Sequence, residues 1–140
     1  MTRIAAGMAA GLVVLLSAGC NRSGGSGLQP VTGSAFCEGK PAAGAVITFH
    51  RAGDSNKKDL PHAVVRADGT FTVTTLVPGD GAAPGKYELT VIWRKKGKTR
   101  GGDDNGDFEL PMRYLTPQES GLTAEVKDGP TDLPRFELTR

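Results

Sequence analysis

The chain has 140 residues, with 17 Lys and Arg against 15 Asp and Glu and a net charge of +2. That length suits one domain and is short for two separate cores, and near-neutrality gives no electrostatic reason to expect nucleic acid or a strongly acidic partner. Two cysteines, Cys20 and Cys37, are too few for a cysteine metal cluster.

Residues 1–19 read as a signal peptide. Arg3 is followed by an uncharged run from Ile4 to Leu16. A run of about 13 residues suits the apolar segment of a signal peptide and falls short of the roughly 20 needed to span a bilayer. Ser17, Ala18 and Gly19 are small, which lets an extended backbone lie in a peptidase groove. Leu16-Ser17-Ala18-Gly19-Cys20 resembles a bacterial lipobox, with Ser17 where that motif most often has Leu. The resemblance implies lipid attachment at Cys20: diacylglycerol on the thiol, cleavage before the cysteine, and an N-acyl chain such as palmitate on the freed amine. One acyl chain holds a protein only marginally at a membrane, whereas two or more hold it stably. Asn21 follows in place of an acidic residue, a pattern that implies passage to the outer membrane, facing the periplasm. The other reading is an ordinary signal peptide cut near Ala18 or Gly19, which leaves Cys20 a free thiol.

Asn21 to Gly27 is rich in Gly and Ser and has no core anchor, so residues 20–27 are expected to be the lipidated cysteine and a flexible tether. Residues 28–140 form the expected domain. If lipid occupies Cys20, Cys37 has no intramolecular disulfide partner. A half-buried, inert thiol is expected there, with intermolecular pairing as the alternative.

From Leu28 onward the pattern is β. Val31, Gly33, Ala35 and Cys37 alternate with polar or outward positions, and Glu38-Gly39-Lys40-Pro41 turns the chain. Ala45, Ile47 and Phe49 mark the inward face of a second strand. His62 to Arg66 is strand-like, Ala67-Asp68-Gly69 is a tight turn, and Phe71, Val73 and Thr75 follow in alternation. An Asp-Gly pair between alternating runs signals a hairpin, because glycine takes positive φ. Pro78 to Gly85 is a turn-rich loop. Tyr87, Leu89, Val91 and Trp93 share a face, then Leu122, Ala124 and Val126, and finally Phe136 and Leu138. These add up to about seven short strands, the pattern of an all-β, immunoglobulin-like antiparallel sandwich.

Three stretches resemble carboxypeptidase-regulatory-like domains, a transthyretin-like family found in small bacterial lipoproteins: Val31-Thr32-Gly33 through Gly39-Lys40-Pro41 to Gly44-Ala45-Val46; Ala67-Asp68-Gly69-Thr70-Phe71; and Pro78-Gly79-Asp80 to Gly85-Lys86-Tyr87. Pro111, Tyr114 and Ser120-Gly121-Leu122 match the C-terminal pattern of those lipoproteins. The resemblance implies a transthyretin (prealbumin)-like sandwich over roughly residues 30–138. It implies no catalytic machinery of its own: in metallocarboxypeptidases such a domain accompanies a separate catalytic one. The terminal Phe136-Glu137-Leu138-Thr139-Arg140 lacks the Tyr-Arg-Gly-Ser motif of the transthyretin-like hydrolases.

Other candidates are weaker. His50 and His62, joined by Asp54 or Asp59, are candidate metal ligands, but zinc sites want three or four ligands. Asp103, Asn105 and Asp107 have the spacing of a calcium loop, yet Phe108 and Tyr114 stand at its sixth and twelfth positions, where Gly and a carboxylate are needed. The basic run Arg94, Lys95, Lys96, Lys98 and Arg100 is followed at once by Asp103, Asp104, Asp107 and Glu109, so its field is largely cancelled. A solvated loop is the default there, and contact with anionic headgroups or polysaccharide the alternative. Trp93 is expected in the core, with sugar stacking as the competing role. No nucleophile elbow is present, and Ser120 is expected in a loop without a base. The chain is therefore expected to be non-enzymatic, without cofactor or metal. It reads as a lipid-anchored envelope module offering faces and loops to a protein or glycan partner. The alternative is a small-ligand carrier resembling transthyretin.

Overall fold

The computed structural model describes residues 27–53, 58–95 and 108–140. Two sheets face each other. The five-stranded sheet is built round β1 (Val31–Cys37), which pairs with β2 (Lys40–Pro41), β5 (Thr70–Thr72), β8 (Thr131–Asp132) and β9 (Phe136–Leu138). The four-stranded sheet has the order β4 (His62–Val64), β3 (Val46–Arg51), β6 (Gly85–Ile92), β7 (Thr123–Val126). All seven strands expected from the alternation are present, and β2 and β8 add two-residue pairings. The architecture is an all-β sandwich.

One departure concerns direction. β1 meets β2 and β5 antiparallel, but β8 and β9 run parallel to it, with Val31 opposite Thr131 and Ala35 opposite Phe136. The five-stranded sheet is therefore mixed. Alternation fixes which side chains face inward and says nothing about strand direction.

The inward faces meet as expected. Phe49, Phe71, Ile47 and Leu89 are among the largest wholly buried side chains, and burying each contributes about 1.5–3 kcal/mol. Phe49 meets Tyr87 edge-on at 5.9 Å between ring centroids, and Phe71 stacks on Phe136 at 6.2 Å. Phe71 also lies opposite Gly33, where an added Cβ would stand 2.5 Å from the ring tip. The ring occupies space that only glycine leaves free.

The stretch after Phe108 contains more than a loop. A 3-10 turn over Met112–Leu115 leads into a single helical turn, α1 (Pro117–Ser120), which Gly121 ends in the left-handed region at φ 69°. Tyr114 is buried there, and its hydroxyl accepts the Thr139 N–H at 3.1 Å, tying the turn to the end of β9. Among the described residues, no helix is long and apolar enough to cross a membrane.

The N-terminal end of the domain is fixed by a close crossing. Gln29 exchanges backbone hydrogen bonds with Ala82 at 2.8 and 3.0 Å. Its carbonyl passes over Gly81, where a Cβ would lie 1.7 Å from the Gln29 oxygen and where φ is +84°. Gly81→Ala therefore meets both a clash with backbone and an unfavourable left-handed conformation. It is expected to destabilise the domain by on the order of 3 kcal/mol, measured by chemical denaturation. A variant with wild-type stability would mean that the Gln29–Ala82 crossing is not formed.

Candidate functional site

A cleft of about 680 Å³ lies where the chain leaves β7 for β8. Its walls come from β6 and β7 on one side and from Pro130–Pro134 on the other. Tyr87, Ala124 and Leu133 contribute buried apolar surface, while Lys86 and Lys127 bring positive charge and Glu88, Glu125 and Asp132 negative charge. Lys86 and Glu125 are register partners across β6 and β7, so strand alternation places both on the outward face. Several polar groups here already serve the fold. The Tyr87 hydroxyl donates to the Ala83 carbonyl at 2.7 Å, the Thr131 hydroxyl accepts from the Lys127 N–H at 3.1 Å, and Asp132 accepts from the Thr32 hydroxyl at 3.1 Å. The remaining ammonium and carboxylate groups suit hydrogen bonding to a polar ligand.

The outer face of the four-stranded sheet carries a second feature. Val64 and Ile92 flank Val46 in register, forming an apolar row across three strands. Val64 and Ile92 are both exposed.

The sequence candidates fall in varied places. His50 and His62 are on that outer face, His62 opposite Thr48 and His50 one outward position along β3. His50 Nε2 lies 2.9 Å from the Thr90 hydroxyl, and His62 Nδ1 lies 3.1 Å from the Leu60 carbonyl. Among the described residues, no three His, Cys, Asp or Glu converge as a metal would require. Asp54, Lys96, Lys98, Arg100 and the Asp103–Asp107 stretch lie outside the described residues, as do residues 1–19, expected as a signal peptide, together with Cys20 and residues 21–26. Arg94 pairs with Phe108, with its guanidinium 5.0 Å from the ring centroid. Trp93 is packed against the core, and its indole N–H donates to the Ala43 carbonyl at 3.0 Å.

Two expectations are corrected. Ser120 is not in a loop: it sits at the end of α1, buried, and its hydroxyl donates to the Leu89 carbonyl at 2.5 Å. It acts as a peg between α1 and β6. Cys37 is buried rather than half-buried, at 3% exposure. Burial pushes its thiol up and Glu38 adds to the shift, which keeps it protonated and unreactive.

Three further groups have shifted acidity. Burial pushes the Tyr114 phenol up, but hydrogen bonds with the Thr139 hydroxyl and N–H, together with Arg113, bring it below its ordinary value. The Thr70 hydroxyl and N–H hold Asp68 below the usual carboxylate range. Partial burial raises Asp80, but the N–H groups of Thr75, Val77 and Leu76 outweigh it, and the net direction is down. Those bonds measure 2.6, 2.9 and 2.8 Å. Sequence reading found the turn at Pro78-Gly79-Asp80 but missed this carboxylate's role. An Asp closing a Pro-Gly turn was the available signal. The cleft was missed for a different reason, since no local pattern shows that residues 130–134 pass beside β7.

No family model matches the chain, and no curated protein matches it. Among solved structures, the chain is similar to a DUF3823 family protein from Parabacteroides merdae, with 16% sequence identity and a TM-score of 0.38. The match covers 79% of this chain and 44% of that one, so this chain spans less than half of that protein's length.

A carboxylate with a depressed folded-state pKa contributes stability above its unfolded pKa, and that contribution is lost as pH falls through the folded value. Stability is thus expected to fall below about pH 4, where unfolded aspartates protonate. Asp80→Asn is expected to cost about 1 kcal/mol at neutral pH, below the roughly 1.5–3 kcal/mol of hydrogen bonds to a buried charge because the site is partly solvent-exposed. The gap from wild type should close in acid. Thermal unfolding followed from pH 7 to pH 2 checks this, and a constant gap would show that the Asp80 charge contributes nothing.

Proposed function

We propose that this protein is a lipid-anchored module of the bacterial cell envelope, held through Cys20 and binding a protein or glycan partner without catalysing a reaction. We take its sandwich to be of the carboxypeptidase-regulatory-like, transthyretin-like kind. The turns that carry the resemblance, Glu38-Gly39 and Asp68-Gly69, join β1 to β2 and lead into β5, and they support that reading.

The observation that carries the binding role is the 680 Å³ cleft, with charges of both signs round a partly apolar wall. Such a surface gives orientation through hydrogen bonds and area through its apolar part. The apolar row of Val46, Val64 and Ile92 offers a second contact face. The non-catalytic reading draws support from Ser120 and Cys37, two buried side chains that could carry a nucleophile, which are respectively bonded to backbone and held protonated. The cleft volume also lies in the range of about 300–1,000 Å³ typical of small-ligand sites, which favours the carrier reading as the second choice.

Cys20→Ser is expected to abolish fatty-acid labelling in cells and to leave the precursor uncleaved or released. Label persisting on that variant would refute attachment at Cys20. For the binding role, photo-cross-linking from Thr123 in cells should give a discrete adduct that Glu125→Lys with Lys127→Glu reduces at least several-fold. An adduct indifferent to the charge exchange would remove the cleft from the proposal.

A further inference from the structure

The loop between β5 and β6 has an unusual combination of properties. Leu76 and Val77 are 63% and 59% exposed, and Pro78 beside them is exposed as well. Consecutive apolar side chains on a protruding loop have no role in the core and oppose solubility. From Thr75 to Gly81, every backbone N–H nevertheless has a partner within the protein. Those of Thr75, Leu76 and Val77 reach the Asp80 carboxylate, and that of Gly79 reaches the Thr74 hydroxyl at 3.0 Å. The N–H of Asp80 reaches the Val77 carbonyl, that of Gly81 reaches the Val73 carbonyl, and Pro78 has none. A loop that leaves water must satisfy its amides internally, because an unpaired one costs several kcal/mol in a hydrocarbon setting. From Thr75 to Gly81, this loop meets that condition beforehand for its N–H donors.

Its position adds the second observation. Gln29 pairs with Ala82 directly behind the loop, and Leu28 lines a 310 Å³ cleft together with Leu76. The chain that comes from Cys20 therefore enters the domain beside the exposed tip. Covalent geometry limits the reach from Cys20 to Leu28 to roughly 28 Å. An anchor at Cys20 therefore joins the domain at this end of the sandwich and not at the Ala67-Asp68-Gly69 end.

We infer that Leu76, Val77 and Pro78 form a second membrane contact, dipping into the boundary between headgroups and acyl chains of the bilayer that holds the lipid anchor. The inference rests on the anchoring reading. It gives the attachment an orientation: the domain stands with β5 and β6 rising from the surface and the Ala67-Asp68-Gly69 turn facing away.

The test uses the full chain, processed in a bacterial host and reconstituted in vesicles of phosphatidylethanolamine and phosphatidylglycerol. Val77→Cys and, separately, Ala67→Cys are labelled with an environment-sensitive fluorophore, Cys37 being buried. Mass spectrometry first establishes the lipid on Cys20. In lipidated protein, doxyl-labelled acyl chains should quench the label at position 77 several-fold more than that at position 67, with a blue-shifted emission at 77 only. Equal quenching at the two positions in lipidated protein overturns the membrane contact and leaves the anchor standing. A purified chain with no lipid mass overturns the anchoring reading and the inference together, and the mass spectrum distinguishes that outcome from the first.

Discussion

Every pairing in the five-stranded sheet passes through β1. Its N-terminal half lies between β5 and β8, and its C-terminal half between β2 and β9. A strand hydrogen-bonded on both edges tolerates no shift in register, since a slip of one residue would turn Val31, Ala35 and Cys37 outward. Gly33 fixes the register further. Phe71 sits where a side chain on Gly33 would be, and from there it stacks on Phe136 of β9. One missing side chain thus lets β5 and β9, on opposite edges of β1, touch across it.

The chain segments that flank β1 inherit this order. Gln29 passes over Gly81 just before β1 begins, which places the base of the β5–β6 loop against the incoming chain. Asp80 then gathers three amides and shapes the loop so that its apolar residues project. At the other end of the molecule, Tyr114 and Thr139 hold β9 against the 3-10 turn, while Ser120 pins α1 to β6. In these places polar side chains substitute for strand pairing where the sheets end, and each satisfies backbone groups that burial would otherwise leave unpaired.

The cleft at the β7–β8 crossing follows from the same topology. β7 belongs to the four-stranded sheet and β8 to the five-stranded one, so the chain must step from one layer to the other over residues 127–131. The step leaves a space beside the sheet edge, bounded by outward side chains of β6 and β7 and by the proline-flanked segment beyond. Charged residues collect there because outward positions near a solvated edge are where they are least costly to place.

Alternation of apolar residues, together with glycine and proline punctuation, determined the seven main strands and their inward faces, because side-chain period and turn chemistry are local properties. It placed Ile47, Phe49, Tyr87, Leu89 and Val91 in the core, and all of them are buried there. Strand direction, the parallel docking of β8 and β9 on β1, the burial of Ser120, the loop-shaping role of Asp80 and the cleft itself were decided only by tertiary structure. Each depends on segments distant in sequence meeting in space, and no window of neighbouring residues carries that information.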